Sequence, residues 1–413
     1  MDCRVKPGND DLWGRAVSGP QYSFNPLLAA VAEPAIAEAQ GWIAGRTFPA
    51  DKPLIDVCQA VPGYPPPPAL QQHLAKLVVE PTTSRYTDIC GLPKLRESLA
   101  ADINGFYGAA VKPEQVMITA GCNQAFCLTM MSLAQAGDEI VMPAPFYFNY
   151  EMWLQMLGIR LVPLAFRPEA GGEPDLAEAE RAITPKTRAI VLVSPNNPTG
   201  AIYKPATLRA FRDLARRRNI ALVLDETYRD FLPVDGAPHD LLRDADWAGT
   251  LIHLYSFSKV FAMTGYRVGA IVADRGFIDH AAKTMDCVAI CAPRVGQEAA
   301  HFGLGHLAEW RRANTLMMRD RRAALVKAFG RNDLGYELIT AGAYFAYVRH
   351  PHRGQKAAAV ARRLADRQNL LALPGSVFGA NQDEFLRVAF ANVDAALMPE
   401  IARRLAADAA DRF

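Results

Sequence analysis

The stretch "RAIVLVSPNNPTGAIYKPATLRAFRDLARRRNIALVLDETY", residues 188–228, joins two apolar runs of strand length through a turn and a helix-like segment. The runs "RAIVLVS" (188–194) and "IALVLDE" (220–226) are continuously apolar rather than alternating, as expected of strands buried on both faces. Between them, residues 205–218 space apolar side chains at helical intervals, so the unit reads strand, helix, strand. The same alternation extends outward. "QVMIT" (115–119), "DEIVMP" (138–143), "RLVPLA" (160–165), "LIHLYSF" (251–257) and "YRVGAIVA" (266–273) are further strand candidates, with a helix over 122–135 among the segments between them. The pattern predicts an α/β domain built on a mostly parallel, seven-stranded sheet.

The flanks differ. Residues 1–24 are polar and aperiodic and read as a loose extension. Residues 25–47 read as one helix, followed by an extended piece through "PGYPPPP" (62–68), where four prolines exclude a helix. This gives an N-terminal arm at 25–68, a large domain at 69–300 and a small C-terminal α+β domain at 301–413. The last contains a long helix over about 298–330, a second helix over 355–368 and the segments "YELITAGAYFAYVRH" (336–350) and "FLRVAFAN" (385–392).

Composition narrows the function. The 413 residues carry a formal net charge of +2, too balanced for nucleic acid or an anionic membrane as main partner. Basic clusters at 212–219 and 311–322 sit on helix-like stretches and read as solvated faces. No apolar run approaches the ~20 residues that cross a bilayer, and the N-terminus lacks a signal-peptide core. Seven scattered cysteines without CxxC spacing suit reduced thiols in a cytoplasmic protein and no metal site.

In an open α/β sheet, ligands bind beyond the carboxyl ends of the strands, and here those ends collect chemistry. After "VMIT", Gly121, Cys122 and Asn123 open a helix whose free N–H groups suit an anion, the alternative being an ordinary strand-to-helix turn. "PAPFYFNY" (143–150) places aromatic rings in a loop that can stack on a flat ligand or form a core cluster. Asn197 lies in "SPNNPTG", either shaping a turn or donating to a ligand. Asp225 ends an apolar strand where a carboxylate needs a partner, with Tyr228 three residues on. "SFSKVFAMTGYRVG" (256–269) adds Ser256, Ser258, Lys259 and Arg267. An anion site, a stacking ring, a carboxylate, a phenol and a lysine jointly fit pyridoxal 5′-phosphate.

At this point "SFSKVFAMTGYRVG", "NNPTG" and "LVLDETY" together resemble the class I/II aminotransferases of the fold-type I pyridoxal-phosphate enzymes, over about residues 50–400. The resemblance implies Lys259 as the Schiff-base lysine and Asp225 as partner of the pyridine nitrogen. Asn197 and Tyr228 would bind the cofactor's phenolic oxygen, and Tyr147, with Phe146 in reserve, would stack on its ring. Cys122, Asn123, Ser256, Ser258 and Arg267 would hold its phosphate. Tyr86, in "SRYTDICGLPKLR" (84–96), would reach the phosphate of a partner subunit, implying a homodimer with shared active sites. Arg387 would bind the substrate α-carboxylate, a role its planar guanidinium fork suits. Ala60 stands where many relatives carry glycine, and Tyr64 would lie near the same pocket. Arg294, in "CAPRVGQ", is a candidate for a distal carboxylate or a surface residue. The implied activity is ping-pong transfer of an amino group from an L-amino acid to a 2-oxo acid. C–S β-lyases, decarboxylases and aminocyclopropane-carboxylate synthases share this site chemistry. A non-enzymatic regulator of this fold would need an N-terminal DNA-binding domain longer than the roughly 50 residues available here.

Overall fold

In a computed structural model, residues 22–411 are described; the expected loose extension over 1–24 lies, up to residue 21, outside them. The strands are β1 (Ile55–Asp56), β2 (Val116–Thr119), β3 (Glu139–Pro143), β4 (Arg160–Leu164), β5 (Thr187–Val193), β6 (Ala221–Asp225), β7 (Leu251–Ser256), β8 (Gly269–Val272), β9 (Glu337–Gly342), β10 (Phe345–Arg349), β11 (Leu370–Leu371), β12 (Leu373–Pro374) and β13 (Phe385–Ala389). All seven strands expected of the large sheet are present, in the order β2-β8-β7-β6-β5-β3-β4. Every pair is parallel except those made by β8, which runs antiparallel to both neighbours. The middle strands are buried along nearly their whole length, which is why they lack alternation.

A four-stranded antiparallel sheet, β12-β13-β10-β9, forms the second layer of the protein and has its own apolar core around Leu364, Leu386 and Leu405. The N-terminal arm reaches it directly: β1 pairs in parallel with β11, Ile55 opposite Leu370. Two helix expectations need correction. Residues 25–47 hold two short helices, Pro26–Ala29 and Ala35–Gly41, because Pro34 cannot continue the first. The helix expected over 298–330 is two, Arg294–His306 and Ala308–Phe329, broken at Leu307. Gly303 and Gly305 weaken the end of the first, and Gly303 is pressed against the ring of Phe261, where a Cβ would come within 2.7 Å.

The turn after β5 meets the small sheet through backbone. A Cβ on Gly200, in the "NNPTG" turn, would sit 2.5 Å from the amide nitrogen of Gly342 at the end of β9, and a Cβ on Gly342 would overlap the carbonyl of Gly200. Thr340 Oγ1 donates to the Thr199 carbonyl beside this contact. The turn after β5 is thereby held against the small sheet, which brings Asn197 to Arg387 on β13.

Just past the carboxyl end of β6, Glu226 is wholly buried. Its Oε2 accepts from Tyr107 OH at 2.5 Å and lies 3.1 and 3.0 Å from the Nε2 atoms of His239 and His253. Burial alone would raise the Glu226 carboxyl, but the two imidazoles hold it below its ordinary value. Burial pushes His253 down, against the pull of Glu226. Both groups bind protons less readily folded than unfolded, so their stabilisation is present above their unfolded values, 4.5 for Glu226 and 6.5 for His253, and is lost as pH falls. Denaturant melts should therefore show stability dropping between pH 7.5 and 5, and His253→Gln should flatten the upper part of that slope. An unchanged slope in the variant would show that His253 is not its source.

Candidate active site

The carboxyl ends of β5, β6 and β7 open onto one cavity of about 380 Å³. At one end, Gly121 caps the helix Cys122–Leu133 with φ +84, leaving the first N–H groups of that helix free. Opposite, Ser256 caps the short helix Phe257–Val260, its Oγ accepting from the Ser258 amide at 3.2 Å. Arg267 closes this end. Its guanidinium donates to the Thr264 carbonyl at 2.8 Å and more weakly to Ser258 Oγ and the Ala120 carbonyl, and it pairs with no carboxylate among the described residues. Helix N–H groups, hydroxyls and an arginine without an acid make a site for a dianion such as a phosphate ester.

Glycine is required for this cradle. A Cβ on Gly121 would overlap Arg267 Nη2, and one on Gly269 would lie 2.6 Å from the Gly121 carbonyl carbon. Gly121→Ala should displace the guanidinium and raise the dissociation constant for pyridoxal 5′-phosphate at least about tenfold, equivalent to about 1.4 kcal/mol. Fluorescence titration of the protein with this ligand measures this; an unchanged constant would show that Arg267 takes no part in binding it.

The cavity floor is built around Asp225, the last residue of β6, which is 5% exposed. Its Oδ1 accepts from Thr227 N at 2.8 Å, Thr227 Oγ1 at 2.7 Å and Cys122 Sγ at 3.5 Å, and its Oδ2 accepts from Tyr150 OH at 2.7 Å. Tyr150 is itself fixed by stacking on Phe126, with ring centroids 3.7 Å apart. Tyr147 stands on the cavity wall with its ring edge-to-face against Tyr150, while Phe146 is buried away from it. Asn123 is also on the wall, and its side chain partly offsets the rise that burial gives the Tyr147 phenol. Burial pushes the Tyr228 phenol well above its ordinary value, so it faces the cavity as a neutral donor.

Lys259 projects from the short helix after β7, and its Nζ donates to the Ala60 carbonyl at 2.6 Å. Burial lowers its pKa to about 7, with the charges of Arg387 and Arg267 acting in the same direction. Arg387, 1% exposed, lies between the rings of Phe378 and Phe345, 4.9 and 5.1 Å from their centroids. It donates to Asn197 Oδ1 at 2.9 Å and to the Cys58 carbonyl at 2.5 Å, while its Nε has no partner. A buried guanidinium beside the lysine, with no acid of its own, has the chemistry to pair with a carboxylate.

Thus twelve of the residues singled out from the sequence line this cavity, from Cys122 and Asn123 to Arg387. Besides Phe146, three others lie off it. Tyr64 packs edge-on against Trp310 behind the wall, its hydroxyl 3.5 Å from that of Tyr344. Arg294 starts a helix, 3.9 Å from Glu298. Tyr86 is 72% exposed, on a segment held by the Thr87 amide donating to Cys291 Sγ. The sequence reading passed over Tyr150, Thr227 and Ile36. Tyr150 and Thr227 sit inside the segments "PAPFYFNY" and "DETY", three residues after Tyr147 and two after Asp225. Ile36 gave no signal, because its helix was read as part of a longer one. No cluster of metal-binding side chains occurs among the described residues.

Residues 52–405 match the family model "Aminotransferase class I and II". The chain is 32% identical to the arginine–pyruvate transaminase AruH of Pseudomonas aeruginosa, over 84% of this chain and 87% of that protein. It is 28% identical to the aromatic aminotransferase ISS1 of Arabidopsis thaliana, over 90% and 92%. In fold it resembles the aspartate aminotransferase of Thermus thermophilus, with a TM-score of 0.84 over 94% of this chain and all of that one, at 24% identity.

Proposed function

We propose, from the premise that the chain belongs to the class I and II aminotransferases, a pyridoxal-phosphate site assembled by these cavity residues and serving amino-group transfer between an amino acid and a 2-oxo acid. The observation that carries this reading is the convergence of Lys259, Asp225 and the acid-free Arg387 on one cavity. Gly121, Cys122, Asn123, Ser256, Ser258 and Arg267 would hold the phosphate, Asp225 the ring nitrogen, Asn197 and Tyr228 the phenolic oxygen, and Tyr147 the ring face. When bound, the cofactor supplies an electron sink for the charge left at the substrate Cα.

The chain's own residues do the rest. Arg387 binds the α-carboxylate and so fixes which bond at Cα faces Lys259. Lys259, whose pKa of about 7 leaves roughly half its amine neutral at pH 7, would take the Cα proton and return it one position along the conjugated system. Asn197 ties Arg387 to the cofactor end of the cavity, so carboxylate and ring are positioned together. Ala60, whose carbonyl accepts from Lys259, borders the substrate.

Tyr86 is assigned to a partner's phosphate site in a homodimer; Ile89, Val288 and Ile290, apolar and exposed nearby in sequence to the Thr87–Cys291 contact, support that assembly. Residues 69–300 and 301–413 are taken as the large and small domains. No helix among the described residues is long and apolar enough to cross a membrane; the unpaired cysteines support a cytoplasmic location. Purified holoenzyme given one amino acid and 2-oxoglutarate or pyruvate should yield the new 2-oxo acid and amino acid with parallel double-reciprocal plots. Release of pyruvate and ammonia without an acceptor would mark a lyase instead.

A further inference from the structure

Four charged side chains line the cavity, and each has a task in amino-group transfer: Lys259, Asp225, Arg267 and Arg387. The lining left over is Ile36, Gln59, Val61, Val193, Thr264 and Gly265, besides the Ala60 backbone, with Thr264 at the Arg267 end and Ile36, Gln59 and Val61 on the side of the N-terminal arm. None of these carries a charge. Ile36 belongs to an apolar cluster with Tyr147 and Phe378, and Phe378 also covers the guanidinium of Arg387. The carboxylate receptor and the apolar patch are therefore contiguous, sharing one ring.

This wall is fixed relative to Arg387. Asn392, five residues beyond it, accepts from the Val61 amide at 3.0 Å and donates to the Gln59 carbonyl. The Gly63 amide donates to the Ala391 carbonyl at 3.2 Å. A side chain attached to a Cα held by Arg387 meets Ile36 and Val61 in set positions. A carboxylate or guanidinium placed there would lose water and find no counter-charge on this wall, whereas an apolar group would bury surface.

We propose that the preferred amino donor has an uncharged, apolar side chain, aromatic rings included, seated on Ile36 and Val61. This rests on the reading of Arg387 as the α-carboxylate site. The test titrates holoenzyme by calorimetry with three unreactive carboxylates: 3-phenylpropionate, succinate and 4-guanidinobutanoate. All present one carboxylate to Arg387 and differ in the group at the other end of the molecule. 3-Phenylpropionate should bind at least about tenfold more tightly than the other two, and Ile36→Ala should weaken it about tenfold while leaving succinate unchanged. Succinate or 4-guanidinobutanoate binding as tightly as 3-phenylpropionate, or indifference of 3-phenylpropionate to Ile36→Ala, would overturn the proposal. Binding of all three that survives Arg387→Ala undiminished would sink the carboxylate site itself, and the proposal with it.

Discussion

Replacing Lys259 by alanine will lower kcat at least about 10⁴-fold, because proton transfer at Cα, itself worth about 10²–10⁴-fold, and covalent capture of the cofactor are lost together. The Schiff-base absorbance of the holoenzyme will disappear, while phosphate-end contacts through Arg267 and Ser256 will still retain cofactor non-covalently. The lysine's own proton affinity adds a second signature. With a pKa lowered to about 7, the amine of the cofactor-free protein is mostly neutral at pH 8. Uptake of pyridoxal 5′-phosphate should therefore accelerate as pH rises through about 7 and then level off, not continue climbing toward the ordinary lysine value of 10.5. Wild-type turnover in Lys259→Ala, or a capture rate still rising tenfold per unit at pH 9, would sink the assignment.

Asp225→Asn should cost about 10³-fold in kcat, close to 4 kcal/mol. The wild-type carboxylate favours a protonated ring nitrogen, and an amide supplies no such charge. Geometry compounds the loss. Both Asp225 oxygens accept, from Thr227, Cys122 and Tyr150, and an amide nitrogen placed there would face donors. Tyr150→Phe removes only one hydrogen bond to a charged acceptor, so its loss should be milder, about tenfold to a hundredfold, with a shift in the holoenzyme's absorbance titration. Steady-state kinetics on the three proteins ranks them. An Asp225→Asn enzyme within tenfold of wild type would remove the carboxylate from its proposed role.

The legible part of the site is the part carried by strand ends. Each strand was visible as an apolar run, and a residue just past such a run needs no packing information to be placed near the others. Asp225, Ser256 and Lys259 were found that way. Arg387 was found from its motif, its burial hinted at by Leu386, Val388 and Phe390. What escaped depends on side-chain direction. Tyr147 and Tyr150 are a helical turn apart, and only packing against Phe126 decides that Tyr150 reaches Asp225. Tyr64 looked equally close to the pocket, yet Trp310, far along the chain, draws it behind the wall. The arm failed for a different reason: a run of alanines masked Pro34, and with it the short helix that brings Ile36 to the cavity.

The Gly200–Gly342 contact has a consequence for how this chain tolerates change. Each glycine is required because of the other's backbone, so enlarging one cannot be offset by shrinking its neighbour, which has no side chain to give up. In a saturation library selected for amino-group transfer, both positions should return glycine almost alone, although neither touches substrate. Double variants should be no more permitted than singles. The two sites, far apart in the chain, will look silent to any covariation signal while being among its least replaceable positions.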